Sequence, residues 1–124
     1  MRIAPTSALM ASVLLAASCT TGPSEYSDPA SPINVKRGEE FVIVLESNAT
    51  TGYRWTLSAD LDTSVVRLLK AEYKAGSSSG LVGAGGLEYW HFGAEGGGTT
   101  LIPMAYVRAG SPVDRTAIFT VKVK

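Results

Sequence analysis

Few side chains in this sequence could do covalent chemistry. The 124 residues hold one histidine, His91, and one cysteine, Cys19. A nucleophilic pair needs a thiol and a base held together and oriented by a third group. Cys19 lies at the end of an apolar leader, and His91 lies in an aromatic stretch, so the pair is not expected to form. A metal site would need more ligands than one histidine supplies. Asp60 and Asp62 are close in a polar loop but lack the oxygen-ligand spacing of a calcium loop. The glycine run at 83–86 lacks the lysine and hydroxyl of a nucleotide-phosphate loop and precedes a strand, not a helix. The residues therefore predict no enzyme: no catalytic residue, no metal, no cofactor and no small-molecule substrate.

What remains must act by binding, through a surface that the folded elements present. The chain opens with one basic residue, Arg2, followed by an uncharged run through Ser18. This has the form of a secretory signal, too short to span a membrane. Leu15-Ala16-Ala17-Ser18 before Cys19 resembles the processing box of bacterial lipoproteins, with Ala16 where a larger aliphatic residue is usual. The expected plan is a signal at 1–18, a lipidated Cys19 opening a flexible tether at 19–32 rich in Pro, Ser, Thr and Gly, and a folded domain at 33–124. The protein would then be secreted across the inner membrane and anchored by its lipid in the bacterial envelope, facing the periplasm. Removing the signal removes Arg2 and leaves ten basic against eleven acidic residues, a formal −1. With no basic patch, nucleic-acid binding has no support, and membrane contact should come through the lipid alone. No disulfide can form within the chain, so the domain must rely on its core.

Residues 33–124 read as short strands. Phe41, Ile43 and Leu45 share one face of a strand over 41–46 by the period-2 rule, with Val42 and Val44 on the other. Tyr53, Trp55 and Leu57 alternate with polar residues, as do Phe119, Val121 and Val123. In 87–92, Trp90 and Phe92 face one side and Tyr89 and His91 the other. Residues 99–108 put Ile102, Met104, Tyr106 and Arg108 on one face, and Pro103 on the opposite side predicts an edge position or a bulge. Val65, Val66, Leu68 and Leu69 fit helical spacing about as well as a strand, and we read 66–73 as a strand or irregular segment. Six to eight short strands with little helix predict an all-β sandwich or barrel, and pattern alone does not choose between them.

Three loops lie between strong strands, at 48–52, 80–86 and 108–112. Loops carried on a rigid scaffold are the usual place for a binding surface. Asn48-Ala49-Thr50 also matches a glycosylation acceptor, which we set aside in a chain with a bacterial-type leader. The string Asn48-Ala49-Thr50-Thr51-Gly52-Tyr53-Arg54-Trp55 closely resembles the first inhibitory loop of the chagasin-like inhibitors of papain-family cysteine proteases. Gly83-Ala84-Gly85-Gly86 is similar to that family's Gly-x-Gly-Gly loop. Tyr106 and Arg108 stand where the family has a tyrosine and then Arg-Pro-Trp, and the last strand, Phe119-Thr120-Val121-Lys122-Val123, looks like the family's.

The resemblance covers residue 35 to the C-terminus. It implies an immunoglobulin-like β-sandwich of about seven short strands, although the Cys…Trp…Cys signature of antibody domains is absent. It also implies a reversible, non-covalent inhibitor whose partner is a papain-like cysteine protease. Asn48, Ala49, Thr50, Thr51 and Gly52 would enter the cleft. Gly83, Ala84, Gly85 and Gly86 would flank one side, and Arg108, Ala109 and Gly110 would form the third contact. Two departures stand out. Ala49 replaces proline, which frees a backbone dihedral. Ala109-Gly110 replaces Pro-Trp, which removes an aromatic of the kind that dominates interfaces. The competing reading is a non-catalytic structural or adaptor lipoprotein that binds another envelope protein.

Overall fold

The structure is a computed structural model that describes residues 22–76 and 85–124. Residues 1–18, expected to be a signal, and Cys19, Gly83 and Ala84 lie outside the described residues. The described part contains eight strands: β1 Ser24–Tyr26, β2 Ile33–Val35, β3 Glu40–Ser47, β4 Arg54–Leu57, β5 Val66–Ala75, β6 Gly86–Ala94, β7 Gly98–Val107 and β8 Arg115–Val123. They form two four-stranded sheets, β1-β3-β6-β5 and β2-β8-β7-β4. β1 runs parallel to β3 and β2 parallel to β8, and every other pairing is antiparallel. The architecture is the expected immunoglobulin-like sandwich, its eight described strands lying within the predicted six to eight.

Period-2 alternation sends one side of each strand into the space between the sheets. Phe41, Ile43, Phe92, Ile102, Met104, Phe119 and Val121 are fully buried there. Phe41 and Phe92 are cross-strand partners and stack with ring centroids 5.5 Å apart. Such buried aromatic pairs contribute beyond their area. Val42, on the opposite face of β3, is also buried, at 2% exposure.

Two expectations change, and one between them, the strand or irregular segment at 66–73, is met. Ser24–Tyr26, inside the stretch read as a tether, pairs with Ser24 opposite Phe41 and Tyr26 opposite Ile43. The Tyr26 ring packs edge-on against Phe41 at 6.4 Å. An aromatic with a core neighbour orders three residues that composition alone assigns to a linker. Residues 66–75 form a strand interrupted by a shift of register between Leu68 and Lys70. The extra residue of a bulge breaks the period of two, so Val65, Val66, Leu68 and Leu69 mimic helical spacing without forming a helix.

The other change is at Pro103, which lies on an inner strand, with β8 on one flank and β4 on the other. β4 stops at Leu57, opposite Met104, and Ser58 N–H donates to the Pro103 carbonyl at 2.9 Å. In an antiparallel ladder a residue's N and C=O face the same neighbour. The missing N–H thus falls where β4 has ended, and no ladder partner is lost.

Candidate functional site

The register places the first and third loops at one end of the sandwich, beside the facing ends of β5 and β6. Ser47, the last residue of β3, pairs with Gly86, and Gly86 pairs with Ala75. Arg54, the first residue of β4, pairs with Val107, the last of β7, while Arg115 at the start of β8 pairs with Tyr106. The connections 48–53 and 108–114 therefore emerge at the same end as Gly76 and Gly85, which are joined by a bond from the Gly76 N–H to the Gly85 carbonyl at 2.9 Å. Gly85 and Gly86 lie beside the start of the first loop. Arg108 reaches its far side.

Asn48 organises the first loop. Ala49–Thr51 form a single 3-10 turn with Asn48 as its N-cap. Asn48 Oδ1 accepts from the Thr50 N–H at 3.1 Å and the Thr50 hydroxyl at 2.6 Å. The Thr51 hydroxyl donates to the Asn48 carbonyl at 2.7 Å. Local side-chain bonding of this kind is why Asn and Thr favour caps and turns. Gly52 ends the turn at φ +83°, in the left-handed region that a glycine adopts without steric cost. Ala49, Thr50, Thr51 and Gly52 are exposed.

A stack of rings supports the loop from below. The Asn48 N–H donates to the Tyr106 hydroxyl at 2.8 Å. Tyr106 stacks on Tyr53 at 5.2 Å and leans on Trp55 at 5.1 Å. Tyr106 and Trp55 are core residues, and Tyr53 is half-buried against that core. The Arg108 guanidinium caps the stack 4.7 Å from the Tyr53 ring. Its Nη1 donates to the Thr51 carbonyl at 3.4 Å and its Nε to the Ser111 hydroxyl at 3.2 Å. Arg108 is thus a brace between the first and third loops. Arg115, which sequence reasoning did not single out, lies against the Tyr106 ring at 4.5 Å.

The third loop is a tight turn. Ser111 N–H donates to the Arg108 carbonyl at 3.1 Å, with Ala109 and Gly110 between and Gly110 at φ +77°. Positive φ at the third residue is the mark of a type II turn, which requires glycine there. Ala109 and Gly110 stand exposed beside Arg108. Gly86 has an internal reason to lack a side chain, since a Cβ would overlap the Lys74 carbonyl oxygen and the Tyr73 ring.

Glu88 is the residue that sequence reasoning missed. It is buried at 8% exposure on the core face of β6. Its Oε2 accepts from the Ser47 hydroxyl at 2.6 Å and the Trp55 N–H at 3.1 Å, and its Oε1 from Trp90 Nε1 at 3.0 Å. A signal existed: Glu88 shares the period-2 phase of Trp90 and Phe92, so an acid stands in an apolar series. His91 lies on the outer face of the first sheet, its Nε2 3.7 Å from Glu72 Oε2. Asp62 lies in the turn before β5, where hydrogen bonds from the Ser64 hydroxyl and then its N–H hold the carboxyl below its ordinary value.

The family model for the chagasin family of peptidase inhibitors, I42, matches residues 34–123. The chain belongs to this family. Solved structures agree on the fold of this chagasin-family chain. It is similar to the cysteine protease inhibitor EhICP2 from Entamoeba histolytica, with TM-score 0.64 and 21% identity over 85% of this chain and 100% of that one. It is similar to Amebosin, with TM-score 0.68 and 25% identity over 84% of this chain and 100% of that one. It also resembles PbICP-C, solved in complex with falcipain-2, with TM-score 0.59 and 20% identity over 83% of this chain and 100% of that one. No curated protein matches the chain in sequence.

Proposed function

We propose that the protein is a reversible, non-covalent inhibitor of papain-like cysteine proteases that occludes the active-site cleft. The observation that carries this reading is the first loop itself. Thr50 and Thr51 are exposed at the tip of a turn already fixed by its own hydrogen bonds. Gly85 and Gly86 flank one side and Arg108 the other. A wedge held in shape before contact loses less conformational freedom on binding. Small residues with hydroxyls fit a narrow polar slot, and no bond need be made or broken.

Inhibition of papain by residues 20–124 tests this, with Thr50 and Thr51 replaced by arginine as the comparison. The wild type should inhibit at nanomolar to low micromolar concentration, and the double variant should lose that inhibition. No inhibition at roughly 100 μM, a binding free energy of only about −5.5 kcal/mol, would overturn the reading. It would favour an adaptor that uses the exposed Leu101 and Ile118 on the outer face of the second sheet.

The envelope location is part of the same proposal. The leader and the small residues before Cys19 support secretion and a lipid anchor. Expression in a bacterial host should put the protein in the membrane fraction with a mass increase on Cys19, and Cys19→Ala should release it.

A further inference from the structure

The first loop connects strands of different sheets. Ser47 ends β3 in one sheet, and Trp55 belongs to β4 in the other. The width of its base is thus a distance between sheets, which neither ladder of hydrogen bonds sets. One atom spans it. Glu88 Oε2 accepts from the Ser47 hydroxyl and from the Trp55 N–H, so both ends of the connection meet on a single carboxylate oxygen. The other oxygen is held by Trp90 Nε1, on the next inward-facing residue of the same strand. Glu88 is also two residues past Gly86, where the strand leaving the second loop begins.

We infer that Glu88 is a positioning residue for the inhibitory end: it fixes the base of the 48–52 loop and sets that loop against Gly85 and Gly86. Its chemistry suits the task. An ionised carboxylate only accepts, and it meets three donors here. Glutamine of the same size would turn an NH2 group towards at least one of them. A buried carboxylate costs free energy unless its lone pairs are satisfied. A residue serving only the core would be better apolar, whereas one that holds two sheets in register at a loop has a reason to be charged. With Ala49 in place of proline, the loop lacks a ring to stiffen its own backbone, and the stiffness comes from its base.

The consequence for inhibition rests on the function proposed above; the effect on the loop does not. The test compares Glu88→Gln with Val121→Ala, a cavity variant in the core towards the opposite end of the sandwich, alongside the wild type. Thermal unfolding, amide hydrogen exchange at Thr50, Thr51 and Gly52, and the inhibition constant against papain are measured for each. Glu88→Gln should speed loop exchange and raise the inhibition constant by about tenfold or more, a loss of about 1.4 kcal/mol, chiefly through faster dissociation. Val121→Ala should lower the melting temperature and leave both readouts unchanged. Ser47→Ala removes one donor without touching the charge. It should speed loop exchange to a lesser degree, which keeps the test decisive if Glu88→Gln does not fold. Loop exchange in Glu88→Gln or Ser47→Ala no faster than in Val121→Ala would overturn the inference. If wild-type protein does not inhibit papain, the exchange data still decide the role of Glu88, and only the proposed function fails.

Discussion

The Asn48 N–H donates to the Tyr106 hydroxyl at 2.8 Å across 58 positions of sequence. This bond joins the start of the first loop to the strand that leads into the third. Tyr106→Phe keeps the ring that stacks between Tyr53 and Trp55 and removes only the acceptor. The Asn48 N–H then loses this hydrogen bond, which costs about 0.5–1.5 kcal/mol. Chemical denaturation should show a loss in that range with an unchanged m-value, and inhibition should weaken in parallel.

Ala49→Pro should stabilise the protein. Ala49 opens the 3-10 turn, where the fixed φ of proline suits the backbone. Asn48 before it is already extended, at φ −118° and ψ 96°, as a residue preceding proline prefers. The expected gain is about 0.4–1 kcal/mol through the unfolded chain, read as a raised melting temperature. The inhibition constant should fall.

Gly52→Ala should be harmful for two reasons. Its φ of +83° disfavours any side chain, at about 1–2 kcal/mol. The new Cβ would also sit 3.2 Å from Arg108 Cδ. Calorimetry should show the destabilisation, and the Tyr53 ring signals should shift as Arg108 is pushed away. Unchanged stability would mean that the turn readily adopts another shape.

Arg108→Lys keeps the charge and loses the planar fork that bonds Thr51 and Ser111 while lying on Tyr53. If Arg108 braced nothing and acted only as a rim charge, lysine would serve as well. We expect Arg108→Lys to weaken inhibition several-fold with little change in association rate, because loop order governs dissociation. A rate effect that disappears with added salt would point instead to a rim charge.

Asp62 gives a pH prediction away from the binding end. Its carboxyl titrates below the ordinary 3.8 because Ser64 bonds the charged form. A lowered folded-state pKa gives stability that is present above the unfolded value and lost as pH falls through the folded one. The contribution should therefore persist above pH 3.8 and fade as the solution becomes more acid. Carboxyl NMR titration should place the Asp62 midpoint below 3.8, and Ser64→Ala should bring it back towards that value.

Much of the fold can be read from single strands. Phe41, Ile43 and Leu45 alternate, as do Phe119, Val121 and Val123, and all six are buried. The bulge at Leu68 was hidden because an inserted residue changes the phase of the pattern without leaving a glycine or proline to mark it. Tyr26 was absorbed into a linker because three residues are too few to show a period. The first loop is the most legible part of the site. The Asn48 side chain and carbonyl, the Thr50 and Thr51 hydroxyls and the Gly52 N–H bond within a few residues of each other, so local chemistry defines the turn. The third loop was legible only in part, since the role of Arg108 depends on a ring and a carbonyl more than 50 positions away.

The sequence by itself determined the alternating strands, the capped turn at Asn48 and the family to which the chain belongs, because each depends on neighbours along the chain. The tertiary structure alone decided that the first and third loops share one end, that Arg108 braces rather than protrudes, and that Glu88 gathers Ser47, Trp55 and Trp90 on one carboxylate. Those relationships depend on which strands pair and how two sheets face each other. A period of two specifies which side of a strand is buried, but it carries no information about the partner waiting there.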